Sequence, residues 1–457
     1  MPRPFLVRYT GLAGSLLLAV AAWLGGASSP WEPTVTPRTI LAGQNGVVLP
    51  LAWLAGTGLL VAAWVLGRRR VPSVRWAFVT AALWAVPLLP VLPLGSYDVY
   101  SYACQGWQQS AGFDPYSGGV DLLGCPWADA VAPTWRSSPA PYGPVFLVLA
   151  AVAVKLGGSL TGAVVLLRVI AVAGVAVIGW CLRGDKEAVF LVLASPLVLV
   201  HLVSGAHNEA VMVALIMAGL AMRRSMLMMG VLLGLAVGVK ATAIVVIPFA
   251  VLFFPGRFRR AVTMIGGGAT AALVAVSLGS GLGLGWIAGL TGSGVSVQWT
   301  APSTAIGMTL EMIGVPGAVA VTRVLGMAAL VVVLLLLWVR ALRKGDPLLH
   351  AGLALAATVL LAPVFHPWYA IWPLALLAAT PWRDTLWLVA PCAVAGVLCL
   401  PDGYNLALAT KAQGAVVMTA LAGYLAWKVL HEAKQTDRDR RRPDADHGGD
   451  RRPRREA

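Results

Sequence analysis

Few residues in this chain have the chemistry to react with anything. Of 457 residues, 58% are hydrophobic and only 12% are charged, so each ionisable group inside an apolar run stands out. Asp98, between Tyr97 and Tyr100, is a carboxylate able to take a proton from a hydroxyl. His207, Asn208 and Glu209 form one short polar turn and add an imidazole, an amide and a second carboxylate. Lys240 lies in Gly238-Val239-Lys240-Ala241-Thr242 with no acidic neighbour in sequence. An unpaired ammonium in such a setting is costly, and an anionic ligand such as a lipid phosphate would relieve it. Arg136 is a second candidate cation, and Arg168 a third, or else a partner for a carboxylate such as Glu209. Trp135, Tyr142, His366, Trp368 and Tyr369 offer flat aromatic walls, and Asp114 adds a carboxylate in Gly-Phe-Asp-Pro-Tyr.

Each of these has an ordinary structural reading beside the chemical one. Asp98 could cap a helix beginning at Val99, and Asp114 could be a turn residue before proline. Asn208 could be an N-cap with Glu209 favoured by the helix dipole. His366 to Tyr369 could be an interfacial aromatic belt broken by Pro367. Glu311 carries a weaker signal than any of them. What favours the chemical reading is convergence, which depends on the elements that carry these residues.

Leu94 to Pro144 is the long polar segment of the chain and holds Asp98, Asp114, Asp121, Asp129 and Arg136. A loop longer than about 15 residues is uncommon unless functional or disordered, and its many Tyr and Trp argue against disorder. Outside it, repeated apolar runs of about 20 residues predict an all-α polytopic membrane protein. Lys/Arg asymmetry orients the runs. Arg68–Arg70, Arg183, Arg223–Arg224, Arg257–Arg260, Arg340–Lys344 and Arg383 mark the inner side, with both termini cytoplasmic. About 14 transmembrane helices of a plasma-membrane protein result. Between the polar loop and Arg183 the chain must cross an odd number of times, so Val145–Val154 reads as an interfacial or re-entrant helix and Gly162–Trp180 as the crossing. This topology puts Asp98, Arg136, His207–Glu209, Lys240 and His366–Tyr369 together on the outer face. The expected divisions are transmembrane helices over 1–94, an outer catalytic loop with its interfacial helix over 95–158, a helical core over 159–431 and a disordered basic tail over 432–457.

The net charge of +15 sits in short clusters beside spans and in the tail, a pattern of membrane flanks touching lipid headgroups and not of nucleic-acid binding. There are five cysteines. Cys181, Cys392 and Cys399 fall among apolar residues, whereas Cys104 and Cys125 lie in the polar loop, where a disulfide between them is open if that loop faces an oxidising exterior. No cysteine or histidine spacing predicts a metal site, and neither metal nor cofactor is expected.

Several of these stretches together resemble a known family. Asp98-Val-Tyr-Ser-Tyr-Ala-Cys-Gln-Gly, Asp114-Pro-Tyr116, Trp135 and Pro141-Tyr-Gly-Pro144, followed by His207-Asn208-Glu209, Gly238-Val239-Lys240-Ala241-Thr242-Ala243 and Pro367-Trp368-Tyr369, are similar to the polyprenol-phosphomannose-dependent α-1,6-mannosyltransferases of actinobacteria. These belong to the C-type glycosyltransferase superfamily, which places an interfacial helix after its first large outer loop. Two positions depart from the pattern: Ser96 stands where a second carboxylate is common, and Glu209 where the family has aspartate. The resemblance implies a polyprenyl-phosphate sugar donor, a lipid-anchored glycan acceptor and an inverting displacement forming α-1,6 links. Asp98 would be the base, and Lys240, with Arg136 or Arg168, would steady the phosphate. Tyr97, Asp114, Trp135, Tyr142, His207, Asn208, Glu209, His366, Trp368 and Tyr369 would bind substrate. The alternatives are a transferase for another polyprenyl-phosphate sugar (arabinose or glucose) and a transporter or flippase for a lipid-linked sugar. Ionisable groups gathered on one face, and not at mid-membrane, favour an enzyme over a transporter. A structural membrane protein would have no need of the convergence.

Overall fold

The structure, a computed structural model, describes residues 4–290 and 296–441. Regular structure among the described residues is helical, apart from one isolated antiparallel bridge between Cys399 and Asn405. Backbone in lipid has no water to bond, so apolar runs close their hydrogen bonds within helices. Five helices are long and apolar enough to cross a membrane: Pro4–Gly25, Val48–Gly67, Leu160–Leu182, Pro255–Gly279 and Ala318–Lys344. Lys186–Leu193 and Val198–Ser204 make a sixth if taken as one span, bent by 66°. Pro196 sits in that bend, where its missing N–H and its ring interrupt the helical ladder. Eight more apolar helices have only 10–17 residues. By helix length the described residues therefore give five or six spans, and the expected count of about 14 rests on apolar runs that the chain breaks with prolines and tight turns. The last helix, Lys411–Arg441, reaches ten residues into the tail expected to be unstructured, and the rest of that tail, 442–457, lies outside the described residues.

Helices Pro4–Gly25 and Val48–Gly67 meet backbone to backbone. A Cβ on Gly14 or Gly56 would stand 2.8–2.9 Å from the carbonyl oxygen of the other, and small residues are what let membrane helices approach so closely. The first of the elements that carry the polar loop, Asp98–Ser110, lies along Pro144–Gly157. There Gly106 touches Ala150, whose carbonyl carbon would be 2.5 Å from an added Cβ. Pro144–Gly157 has 14 residues, about 21 Å of helix against a hydrocarbon core of about 30 Å. The short helix expected after the polar loop is present.

Arg168 is buried in Leu160–Leu182, yet it does not pair with Glu209. Its guanidinium donates to the carbonyls of Ser204, at 2.8 and 3.1 Å, and of Leu89, at 2.5 Å. It fastens the bent pair to the segment leading into the polar loop, and the reading of Arg168 as a carboxylate or phosphate partner is corrected. At one end of Val48–Gly67, Arg69 pairs with Asp384 at 2.9 Å, while Arg383 pairs with Asp185 and Glu187. At the other end Leu49 packs beside Val35, Leu400 and Pro401. Twenty helical residues, about 30 Å, separate these two ends.

Cys104 and Cys125 form a disulfide, tying Asp98–Ser110 to the loop around a small core of Val120 and Val131. Closing a loop with a sequence separation of 21 stabilises by about 3 kcal/mol in the chain-entropy description. A Cys104→Ser/Cys125→Ser variant is expected to lose about that much, read as earlier thermal inactivation in detergent and faster proteolysis within 111–143. Unchanged inactivation would show that the loop is held by its packing alone.

Candidate active site

Asp98 begins the helix Asp98–Ser110, but its carboxylate does not cap it. The Ser96 hydroxyl accepts the Asp98 N–H at 3.0 Å, and the residue at the N-cap position, Tyr97, makes no side-chain cap. The carboxylate is left to face His207, with Oδ2 3.8 Å from Nδ1. His207 reaches this position through Ala206, a non-glycine residue at φ 55°. That left-handed backbone costs roughly 1–3 kcal/mol and persists where surrounding structure dictates it. His207 Nδ1 also lies 3.3 Å from the Tyr102 hydroxyl and 3.7 Å from Glu209 Oε2. Glu209 Oε1 in turn accepts from Lys240 Nζ at 2.5 Å. The sequence offered Lys240 no neighbour, and the fold supplies Glu209. A buried carboxylate and a buried ammonium offset one another's desolvation.

Glycines bring Lys240 to this point. Gly143 donates its N–H to the Val239 carbonyl at 3.0 Å, and a Cβ on Gly143 would stand 2.2 Å from the Gly238 oxygen. The end of the polar loop and the lysine segment are therefore in direct backbone contact. Around the ammonium stand the rings of Tyr369, Trp372 and Tyr142, with centroids 4.2, 5.2 and 6.0 Å away, an arrangement favourable to a cation. Trp368 stacks on His366 at 4.8 Å with 2° between the planes, and lies 4.1 Å from His207.

Asp98, His207, Glu209, Lys240, Tyr142, His366, Trp368 and Tyr369 are thus brought together. Asn208 is buried with them, and its side-chain atoms have no hydrogen-bond partner; it precedes the helix Glu209–Ala221 without capping it. Tyr97 stands at the edge, accepting the Ser28 N–H at 3.3 Å. Two expected site residues lie elsewhere. Asp114 is exposed, and its carboxylate accepts the Tyr116 N–H at 2.9 Å, the turn role open to a residue before proline. Arg136 spends its guanidinium on the Val131 and Asp129 carbonyls of its own loop. In the structure both are held by hydrogen bonds of their own loop. Tyr102 and Trp372 went unremarked, although Tyr102 is four residues past Asp98 on one helix and Trp372 three past Tyr369, so each shares a helical face with a residue already singled out.

None of these ionisable groups lies in a span-length helix. Burial, and then the Glu209 charge, push Asp98 up from 3.8 to about 6. Burial followed by Lys240 holds His366 down near 4 and drives His207 well below its ordinary value. Both imidazoles are therefore neutral near pH 7 and Asp98 is ionised but basic, which is the condition a general base needs. Among the described residues no group of three or more His, Cys, Asp and Glu side chains is arranged to hold a metal ion.

Two cavities meet at this cluster. The first is lined by Tyr142, Lys240, Thr242, Tyr369 and Trp372 and continues past Thr358 along the apolar Val359, Ala362 and Pro363. The second is lined by Trp31, Ser96, Gln298, Asp402, Tyr404 and Asn405. Asp98, Trp135, His366 and Trp368 line both. Sequence gave no signal for the second set, which comes from four separate segments.

Residues 8–256 match the family described as alpha-(1->6)-mannopyranosyltransferase, N-terminal domain, and residues 298–431 match the MptB C-terminal domain. The chain is 32% identical over 410 residues to alpha-(1->6)-mannopyranosyltransferase A of Mycobacterium tuberculosis, covering 80% of this chain and 79% of that protein. It is 29% identical over 450 residues to alpha-(1->6)-mannopyranosyltransferase B of Corynebacterium glutamicum, covering 83% of this chain and 73% of that one. No solved structure matches the chain.

Proposed function

Because this chain belongs to the alpha-(1->6)-mannopyranosyltransferase family and is a membrane glycosyltransferase, we propose that it moves mannose from a polyprenyl-phosphate donor to a hydroxyl of a lipid-anchored mannan, inverting the anomeric centre and forming an α-1,6 link. The observation that carries this reading is one contact chain, Asp98–His207–Glu209–Lys240, at the head of a cavity with an apolar continuation. A base and a cation within one site, beside an apolar groove, suit a phosphate ester with a long hydrocarbon tail.

The phosphate is already a good leaving group, so catalysis must hold it, keep out water and deprotonate the attacking hydroxyl. Asp98 takes that proton. The acceptor oxygen bonds to C1 as the bond from C1 to the phosphate oxygen breaks, so a β-linked donor gives an α-linked product. Lys240 has three N–H donors and spends one on Glu209. With the others it steadies the charge growing on the phosphate. Trp372 Nε1, which lines the same cavity and has no partner, adds a neutral donor. His207 and Glu209 orient Asp98 and Lys240, and the prenyl chain follows Val359 and Pro363 toward lipid. This chemistry asks for no metal or cofactor. The site lies at the end of Val48–Gly67 remote from Arg68–Arg70, which the positive-inside tendency places on the outer face of the plasma membrane, the termini inside.

The test is transfer of radiolabelled mannose from polyprenyl phosphomannose to an α-1,6-mannoside in membranes containing the protein. Transfer supports the reading, whereas transfer only from an arabinose or glucose donor, or none, overturns the choice of sugar. A second expectation concerns pH. Because Asp98 works deprotonated and titrates near 6, kcat/KM falls about tenfold per unit as pH drops below that point. His366 and His207 are already neutral there and contribute no opposing limb above it. A flat profile down to pH 4.5 would mean that Asp98 does not carry the proton.

A further inference from the structure

The second cavity shares Asp98 with the first but differs from it in charge and lining. Lys240 belongs to the first cavity only. The ionised groups of the second are the carboxylates Asp98 and Asp402, with His366 held neutral. Among the described lining residues an anion entering there would meet two negative charges and no cation, which is unfavourable by simple Coulomb repulsion. Its other groups are aromatic rings and neutral hydrogen-bonding groups. Trp31 and Tyr97 meet edge to face with centroids 6.3 Å apart, and Tyr404 is half-buried opposite the Ser96 segment. Asn405 Nδ2 donates to Gln298 Oε1 and Gln298 Nε2 to Ser296 Oγ, each at 2.9 Å. A carboxamide carries two N–H groups, so each retains one for a ligand.

The loop that presents these groups is rigidly built. Asp402 accepts the Val35 N–H at 2.7 Å and the Tyr404 N–H at 3.0 Å. Leu400 and Tyr404 are joined backbone to backbone at 2.8 Å. Gly403, at φ 87°, lies against Ser96, where a Cβ would be 3.0 Å from the Ser96 Cα. The turn is thereby pressed onto the residue whose hydroxyl accepts the Asp98 N–H. Flat rings, amide donors and the lack of a cation among the described lining residues suit an uncharged polyol, with each ring face taking an apolar sugar face.

We propose that this second cavity binds the acceptor saccharide, an uncharged oligomannoside, and that Trp31, Gln298, Tyr404 and Asn405 determine which acceptor is used. The inference rests on the mannosyl-transfer reading for the role of Asp98, which would then stand between donor and acceptor and reach the attacking hydroxyl from the second side. Three of these four residues lie in the C-terminal family match, 298–431, so acceptor choice is carried mostly by that region of the chain.

The experiment uses the full chain in detergent with α-1,6-mannotriose as probe. Saccharide binding is read by intrinsic fluorescence without donor, and KM for acceptor and donor by mannose transfer. Tyr404→Ala and Gln298→Ala are expected to weaken saccharide binding and raise the acceptor KM roughly five- to tenfold, the worth of one aromatic or hydrogen-bonding contact. The donor KM should stay within about twofold, and Tyr404→Phe should keep the ring and most of the affinity. A rise in donor KM with unchanged mannotriose binding overturns the assignment. So does loss of kcat with both KM values unchanged, which would mark the loop as structural. If the wild type binds mannotriose through these residues but transfers no mannose, the donor reading falls and the saccharide site stands.

Discussion

Asp98→Asn lowers mannose transfer by two to four orders of magnitude, the usual contribution of a positioned general base. The substitution keeps the size of the side chain and removes its capacity to accept a proton. The fold is expected to survive it, because the carboxylate does not cap the helix, the Asp98 N–H being bonded to Ser96 Oγ, and because Asp98 makes no direct ion pair closer than 3.8 Å. Removing a buried negative charge also relieves its repulsion with Glu209. Transfer measured in membranes at matched expression checks the expectation, with thermal unfolding alongside. Wild-type rates in the variant would assign Asp98 a structural role and move the search for the base to Glu209.

A second large effect is expected at Lys240, this time on two readouts. Lys240→Met leaves Glu209, a fully buried carboxylate, without its cation. Breaking a buried pair from one side typically costs about 3–5 kcal/mol. The charge facing the phosphate is lost as well, worth roughly ten- to hundredfold in transfer for one charge-assisted contact. The double variant Glu209→Gln/Lys240→Met separates the two roles. It should recover most of the stability, since no unpaired charge remains, while transfer stays low. Recovery of both stability and transfer would show that Lys240 serves only to neutralise Glu209.

Composition and spacing made the membrane class legible, together with the helical fold, the short helix after the polar loop and the gathering of Asp98, His207, Glu209, Lys240 and His366–Tyr369 in one place. Those features are local. Apolar periodicity, a basic cluster at a span end, or a charge in an apolar run each follows from neighbours in the chain. Partners were not legible, because they are set by contacts between distant segments. The sequence reading offered Arg168 as a partner for Glu209, whereas the fold turns Arg168 toward two backbone carbonyls and brings Lys240, 31 residues further on, to Glu209 instead. Asp114 and Arg136 had suitable side chains in the right loop, where the hydrogen bonds they make go to their own loop. Asp402, Tyr404, Asn405 and Gln298 carry no motif of their own, and their meaning depends on the turn at Gly403 pressing against Ser96. The sequence by itself determined which elements form and which side chains are costly to bury. Only the tertiary structure decided which of them compensate one another, since a buried charge or amide takes its partner from whichever backbone the packing brings within hydrogen-bond reach.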